Sequence, residues 1–459
     1  MQAEATKAEA VKAEALAQMR RRVVISSTIG NALEWFDFTV FGLFAGILSK
    51  LFFPSDNPSS SLLLTFATFG IAFAARPLGG LVFGLYADKH GRKKALVVMI
   101  SLMAVGTGLL GLLPTYGAIG IAAPLLLLLA RLIQGFSAGG EFGSASAMLI
   151  EFAPPGRRGL YGSFQMVSQS LAFGIGAAMA IGLNLGLSAD AFASWGWRVP
   201  FILGILIGPT GWYLRQRCDE SPEFQAYLAE KAVTAQPKRQ TTLGELFSDH
   251  PRELIASFCL IAAGTAINYV NAIFLPTYAV AELKLPLLNA QLGLLFISVA
   301  NAAIAMASGV LSDRIGRRAV LVPSLIIYAV LFYVMLQRLV AAPTTTNLWQ
   351  LQIVAVFLGA LAGPMPAFMT EIFPVGLRST GASLMYNLAV MLFGGLAPFI
   401  NTWLVQVTGD KAAPVYYIFF AAAVGLAGLS VYRARTSGAG TMPEPALSRI
   451  PLAGEKTAG

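Results

Sequence analysis

The chain has 459 residues, of which 56% are hydrophobic and only 12% are charged, and its formal net charge is +9. A soluble domain carries about 25% charged residues, so this composition excludes an ordinary soluble enzyme, a nucleic-acid-binding protein and a secreted disulfide-rich domain. The two cysteines and two histidines lack metal-ligand spacing, and we expect neither a metal site nor a cofactor.

Apolar segments long enough to cross a bilayer occur twelve times along the chain. A membrane helix needs about 20 mostly apolar residues to cross a hydrocarbon core of about 30 Å. The chain is therefore predicted to be an all-α polytopic membrane protein with twelve transmembrane helices. The predicted spans are 23–49, 62–86, 95–113, 118–150, 160–187, 198–214, 253–279, 288–311, 319–340, 348–371, 379–406 and 414–432.

Polar segments divide the twelve spans into two groups of six. Of the 32 Lys and Arg residues, 25 fall on one side of the membrane when the N-terminus is placed there, which is the pattern of cytoplasmic loops. The positive charge thus reflects topology in the inner (plasma) membrane, with both termini cytoplasmic, and does not indicate nucleic acid. The predicted domains are a cytoplasmic N-tail (1–22) that forms a frayed, solvated helix, an N-terminal six-helix bundle (23–215), a cytoplasmic linker (216–252), a C-terminal six-helix bundle (253–433) and a disordered cytoplasmic C-tail (434–459).

Two loop motifs recur in the two halves at nearly the same offset. GLYADKHGRKK (84–94) follows the second span and GVLSDRIGRRA (309–319) follows the eighth. EFAPPGRRG (151–159) and EIFPVGLRS (371–379) follow the fourth and tenth spans. These matches predict a duplicated six-helix unit, and parallel repeats of this kind build transporters that rock about a central site.

Charged side chains in the repeated loops are candidates for gating. A carboxylate at a helix end can pair with an arginine or face the positive N-terminus of another helix, and such contacts can hold in one conformation and break in another. The alternatives are positive-inside topology and simple loop solvation. The predicted gating residues are Asp88, Arg92, Asp313, Arg317, Glu151, Arg158, Glu371 and Arg378.

Longer motifs resemble a known family over essentially the whole transmembrane region. They are GNALEWFDF (30–38), ARPLGGLVFGLYADKHGRKK (75–94), RLIQGFSAGGEFG (131–143), WGWRVPF (195–201) and LRSTGASLMYN (377–387). With them the sequence resembles the metabolite:proton symporter family of the major facilitator superfamily, which includes permeases for citrate, α-ketoglutarate and proline/betaine. The segment 393–414 is most similar to citrate and tricarballylate permeases. The resemblance implies a twelve-helix fold, alternating access and proton-driven uptake.

Ionisable residues within spans are costly and are therefore candidates for function. Glu34 and Asp37 are three residues apart and share one face of the first helix, and Arg131 lies at a similar depth in the fourth. The arginine is predicted to bind a substrate carboxylate together with Glu34, and Asp37, Glu34 and Glu141 are predicted to couple protons. The alternative is a static ion pair that orients helices. Arg76, before Pro77, is interpreted as a packing and kink element, with anion binding as the less favoured alternative.

The second half offers neutral hydrogen-bonding side chains in place of buried charges. We expect it to supply shape and hydrogen bonds, together with two glutamines of the fifth span that alternatively bridge helices. The further predicted substrate-binding residues are Gln165, Gln169, Asn268, Asn271, Tyr386 and Asn387.

The predicted function is proton-coupled import of a small organic anion, most readily a di- or tricarboxylate. The alternatives are symport of a zwitterionic osmolyte or an aromatic or hydroxy acid, export, and a transporter-like sensor. An enzyme is disfavoured because no nucleophile–base pattern is present. The expected partners are the anion, protons and the lipid bilayer, and the protein is expected to function as a monomer.

Overall fold

A computed structural model describes residues 2–56, 58–205, 213, 225 and 243–431 of the chain. These residues form helices joined by short turns, and no strand occurs among them. Within them, ten helices are long and apolar enough to cross a membrane, and an eleventh span forms if the first two helices, bent by 69°, are one. The prediction of an all-α membrane protein is confirmed.

The first half of the chain forms long helices with tight connections. A one-residue break at Gly91 separates the third helix from the fourth, and the φ of 103° at this residue favours glycine. The helices are α1 (Gln2–Leu43), α2 (Ala45–Phe52), α3 (Pro58–His90), α4 (Arg92–Leu112), α5 (Tyr116–Ile119), α6 (Ala122–Glu151), α7 (Arg158–Gly186) and α8 (Ala189–Ser194), with a 3₁₀ turn at Gly196–Arg198.

The second half repeats the tight connection, because Gly316 with a φ of 93° separates two helices in the equivalent loop. Two of its membrane helices contain a π-helical segment, at Val270–Phe274 and at Val390–Gly395. The helices are α9 (Leu243–Asp249), α10 (Pro251–Tyr269), α11 (Leu275–Ala281), α12 (Leu287–Ile315), α13 (Arg317–Ala341), α14 (Thr345–Val354), α15 (Phe357–Ala362), α16 (Met365–Glu371), α17 (Arg378–Ala389), α18 (Ala397–Thr408) and α19 (Pro414–Val431).

The observed helices match the predicted spans with local differences. The sixth span begins as the apolar helix Gly196–Ile205, and its remainder lies outside the described residues. The tenth is broken at Pro364, between α15 and α16, because proline cannot donate the helical hydrogen bond. Most of the predicted linker and all of the predicted C-tail from 434 onwards lie outside the described residues.

The N-terminal segment is helical, as the sequence predicts, and it continues into the first span without a break. The structure has one uninterrupted helix, α1, that includes residues 2–22 and the first predicted span. An Ala-, Glu- and Lys-rich segment has high helix propensity, and extension of an existing helix avoids the cost of a new nucleus.

Glycines bring α3 and α6 into backbone contact near the centre of the first half. A Cβ at Gly135 would clash with the backbone of Ala72, and a Cβ at Gly139 would clash with the carbonyl oxygen of Arg76. Small residues allow membrane helices to approach closely. This packing holds Arg76 on α3 and Arg131 on α6 next to α1.

Candidate functional site

Arg131 and Asp37 form a buried ion pair between α6 and α1. Arg131 Nη1 lies 3.1 Å from Asp37 Oδ2, and the Gln134 amide donates to the same oxygen at 2.7 Å. Gln134 also accepts a hydrogen bond from Arg131 at 2.9 Å and donates one to Thr107 at 3.0 Å. Arg131 is fully buried, so the carboxylate and the surrounding polar groups provide the main compensation for its desolvation.

A second buried ion pair lies close to the first, between α3 and α1. Arg76 Nη2 lies 2.6 Å from Glu34 Oε1, and both side chains are at most 1% exposed. The aromatic rings of Trp35, Phe38 and Phe73 surround the guanidinium, with centroids 5.4, 4.4 and 4.8 Å from its central carbon. The sequence interpretation placed Glu34 beside Arg131, whereas in the structure Arg76 is its ion-pair partner.

Aromatic rings also surround Arg131. The rings of Phe38, Phe41 and Phe69 lie 4.5, 4.2 and 5.5 Å from its guanidinium carbon. Phe38 is therefore shared by the two arginines and lies between the two ion pairs. A guanidinium over an aromatic face is stabilised by the ring quadrupole, most strongly when it is removed from water.

A cavity of about 40 Å³ lies between helices of the two halves. One buried water needs a cavity of roughly 10–15 Å³, so this cavity is large enough for a few waters and too small for a tricarboxylate. Its wall combines aromatic and amide side chains with a few hydroxyls. The predicted substrate-binding residues Gln169, Asn268 and Tyr386 contribute to it. Trp35, Tyr269 and Asn301 also line it.

The remaining predicted binding residues make helix-to-helix contacts in this conformation. Gln165 donates to Asn31 at 2.8 Å, joining α7 to α1. Asn271 donates to Tyr328 at 2.5 Å, and Asn387 donates to the backbone carbonyl of Gly139. The Asn387 contact joins α17 to α6, and therefore the second half of the chain to the first.

Glu141, the third predicted proton-coupling residue, is 1% exposed on α6. It is not one of the residues that line the cavity. Its neighbour Gly140 packs against Phe83 and Met99, which places this part of α6 against α3 and α4.

Asp88, at the end of α3, contacts the second half of the chain. Its Oδ2 accepts a hydrogen bond from the backbone N–H of Thr380 at 2.9 Å and one from the Thr380 hydroxyl at 2.6 Å. Thr380 lies in the first turn of α17, where backbone N–H groups are free and the helix dipole is positive. The carboxylate therefore caps a helix of the other half.

Asp313, in the equivalent loop, makes the reciprocal contact. Its two oxygens accept hydrogen bonds from the backbone N–H groups of Gly159 at 2.7 Å and Leu160 at 2.9 Å, in the first turn of α7. Arg158 is the first residue of that helix. Each half thus provides a carboxylate to the N-terminus of a helix in the other.

Arginines and glutamates extend these two contacts into networks. Glu151 Oε1 lies 3.1 Å from both Arg92 and Arg378, so one carboxylate pairs with arginines from both halves. In the second half, Arg317 lies 2.7 Å from Asp313 and 2.9 Å from Glu371. Glu151 therefore also pairs across the halves, with Arg378. Together the networks close this end of the bundle, which we call the loop end.

Comparison with known proteins decides the family. The profile described as sugar (and other) transporter matches residues 23–237 and 223–436. The chain belongs to the sugar (and other) transporter family. It is 41% identical over 411 residues to a citrate-proton symporter of Klebsiella pneumoniae, covering 88% of this chain and 89% of the relative. A citrate-proton symporter of Salmonella typhi is 39% identical over 418 residues, covering 90% and 94% of the two chains. A proline/betaine transporter of Salmonella typhimurium is 33% identical over 415 residues, covering 88% and 82%.

Solved structures show the same fold. The proton:xylose symporter XylE bound to 6-bromo-6-deoxy-D-glucose matches with a TM-score of 0.76 at 16% identity, covering 90% of this chain and 96% of XylE. The human organic anion transporter MFSD10 matches with a TM-score of 0.62 at 16% identity, covering 90% and 99%. The family match and the citrate-proton symporter relatives show a multi-pass membrane transporter of the major facilitator superfamily and not an enzyme.

The sequence interpretation did not identify several side chains of this site. Gln134, three residues after Arg131 and on the same helix face, hydrogen-bonds to both members of the Arg131–Asp37 pair. Its spacing from Arg131 was a usable signal. Trp35 and Tyr269 carry no comparable signal, because aromatic residues at helical spacing are common in any membrane core.

Proposed function

We propose that the protein is a proton-coupled symporter that imports a small organic anion, most readily a di- or tricarboxylate such as citrate, by alternating access. The observation that carries the proposal is the buried Arg131–Asp37 pair between α6 and α1. A guanidinium that pairs with a protonatable acid can bind a substrate carboxylate when the acid takes up a proton. Two citrate-proton symporters, each about 40% identical over most of the chain, support it.

In this proposal Arg131 binds a carboxylate of the anion, and Asp37 carries the coupled proton, with Glu34 and Glu141 as further proton-coupling residues. Amide and hydroxyl groups of the cavity wall hydrogen-bond the rest of the substrate. The polar residues that now join helices enter the site when the cavity enlarges. The assigned wall and helix-joining residues are Gln165, Gln169, Asn268, Asn271, Tyr386 and Asn387.

The loop-end networks act as the gate in the proposed cycle. They hold the two halves together at one end, and their separation opens the site on that side of the membrane. The loop end is assigned to the cytoplasm because most of the Lys and Arg residues lie in the loops and tails on that side. The proposal also includes two six-helix domains, a location in the inner membrane, cytoplasmic termini and a monomeric functional unit.

A second candidate function is proton symport of a zwitterionic osmolyte. The 33% identical proline/betaine transporter of Salmonella typhimurium favours it, since the match covers 88% of this chain. A zwitterion carries one carboxylate and a compensating cation, so it needs an acid or an aromatic face as well as an arginine. The two candidates therefore differ in the number of carboxylates that the site must neutralise.

Thermal unfolding of the purified full chain tests the substrate class. The ligands are citrate, tricarballylate, α-ketoglutarate, succinate, phthalate, shikimate, proline and betaine. A ligand at 100 times its dissociation constant stabilises the folded state by about 2.7 kcal/mol, which raises the unfolding temperature measurably. We expect shifts with the di- and tricarboxylates, and shifts with proline or betaine alone would favour the second candidate.

Uptake into proteoliposomes tests the coupling. An imposed gradient with the acid side outside should drive accumulation of the stabilising ligand, and a protonophore should abolish it. Accumulation that is indifferent to the proton gradient would contradict proton-coupled symport.

A further inference from the structure

Arg76 has no assigned role in binding, although its ion-pair partner Glu34 precedes Trp35, whose side chain lines the inter-half cavity. Trp35 is part of the cavity wall and its ring lies 5.4 Å from the Arg76 guanidinium carbon. Arg76 also interacts electrostatically with the hydroxyl groups of Tyr386 and Tyr269, which form the wall on the side of the second half. Aromatic side chains of the cavity wall thus lie next to Arg76.

The guanidinium of Arg76 has unused hydrogen-bonding capacity. Nη2 pairs with Glu34, and the Tyr386 hydroxyl is close enough to interact with the guanidinium, while Nε and Nη1 have no partner in hydrogen-bond geometry within the part of the chain that the structure describes. The same is true of Nε and Nη2 of Arg131. Buried donors of a charged group are costly when they remain unsatisfied, so such donors in a transporter indicate a place for an anionic ligand.

Shared aromatic residues connect the two arginines with each other and with the cavity wall. Phe38 contacts both guanidinium groups, and Tyr269 interacts electrostatically with both. Each arginine is neutralised by an acid of α1, and the two acids, Glu34 and Asp37, are one helical turn apart. A molecule with two or more carboxylates could therefore reach both cations at once if it replaced the two acids.

We infer that Arg76 is a second carboxylate-binding residue and that Glu34 occupies its place until the substrate displaces it. This inference rests on the proposed function and narrows its substrate class to molecules with at least two carboxylates. Glu34 is then a competitor of the substrate for Arg76, which gives the two members of the pair opposite effects on affinity. A purely structural ion pair would give effects of the same sign.

Three variants of the full chain test the inference by titration calorimetry with citrate and succinate. Arg76→Gln combined with Glu34→Gln leaves no unpaired buried charge, and we expect it to bind both ligands at least about tenfold more weakly, the loss of one charge-assisted carboxylate contact. Glu34→Gln alone should bind both about threefold or more tightly, because the competing carboxylate is gone. Arg338→Gln, the same change at an exposed arginine outside the site, should bind like the wild type.

The outcomes separate this inference from the proposed function. If the wild type binds citrate, the proposed substrate class stands, and equal or weaker binding by Glu34→Gln overturns the role of Arg76. Undiminished citrate binding by the double variant overturns it as well. If the wild type binds betaine and no di- or tricarboxylate, both the proposed function and the inference are wrong. Unfolding temperatures measured without ligand identify a variant that has lost its fold, and Glu34→Gln then decides the question alone.

Discussion

The contact of Asp88 with α17 gives a direct prediction for gating. Asp88→Asn preserves the shape of the side chain and removes its charge. The carboxylate accepts two hydrogen bonds from Thr380, across the interface between halves, at 2.9 and 2.6 Å. Both bonds end on Oδ2, so the asparagine oxygen can still accept them, but each becomes a bond between neutral groups and weakens by about 1 kcal/mol. A combined loss of about 2 kcal/mol shifts the ratio of closed to open loop ends by about 30-fold.

Thiol labelling measures this shift at a distance from the substitution. Ser163→Cys, introduced after Cys218 and Cys259 have been changed to serine, places a thiol against Gly309 in the other network. Ser163 is fully buried there, so a maleimide reaches the thiol only when the loop end opens. We expect faster labelling in the Asp88→Asn background.

Asp190→Asn is the matched control, since Asp190 is exposed on α8 and takes no part in the loop-end networks. It should leave the labelling rate unchanged. A folded Asp88→Asn variant that labels at the control rate would refute the argument that this contact holds the loop end closed.

Further predictions concern the central pair and the packing beside it. Arg131→Ala should abolish uptake of the anion while membrane insertion persists, and near-normal uptake would contradict its role as a ligand. Asp37→Asn should separate substrate movement from proton movement, so that substrate-induced alkalinisation disappears while exchange persists. If alkalinisation is intact, another acid carries the proton. Gly139→Ala should destabilise the fold by about 1–3 kcal/mol through its clash with the Arg76 carbonyl, lowering the unfolding temperature, whereas Gly182→Ala, with open space around it, should not.

Features that depend on single helices could be predicted from the sequence. Hydropathy placed eleven spans and the start of the sixth, because a bilayer demands a long apolar helix wherever the chain crosses it. The sequence placed Asp37 and Arg131 at similar depths in the membrane, and the structure shows them in contact, because both are near the middle of neighbouring spans. The charged residues that were predicted from the repeated loops cluster at the loop end.

Features that depend on how helices rotate and dock could not be predicted in this way. Glu34 and Asp37 share a helix face, yet a turn of α1 is enough to direct one to Arg76 on α3 and the other to Arg131 on α6. The bond between Glu151 and Arg378 joins residues 227 positions apart and exists only because the two halves meet at the loop end. Hydropathy carries no information on which arginine each acid of α1 faces or on which residues meet between the two halves.

Charge balance gives a physical reason for pairing each buried arginine with an acid. The empty site, with two arginines and two carboxylates, has no net charge. With both acids protonated and a substrate of two carboxylates bound, the site is again neutral, so neither the loaded nor the empty form moves charge through the membrane potential. Without the protons the loaded site would carry two negative charges, and each costs about 2.3 kcal/mol per 100 mV against a negative interior. Acids that release the arginines by taking up protons therefore serve binding and coupling through the same atoms.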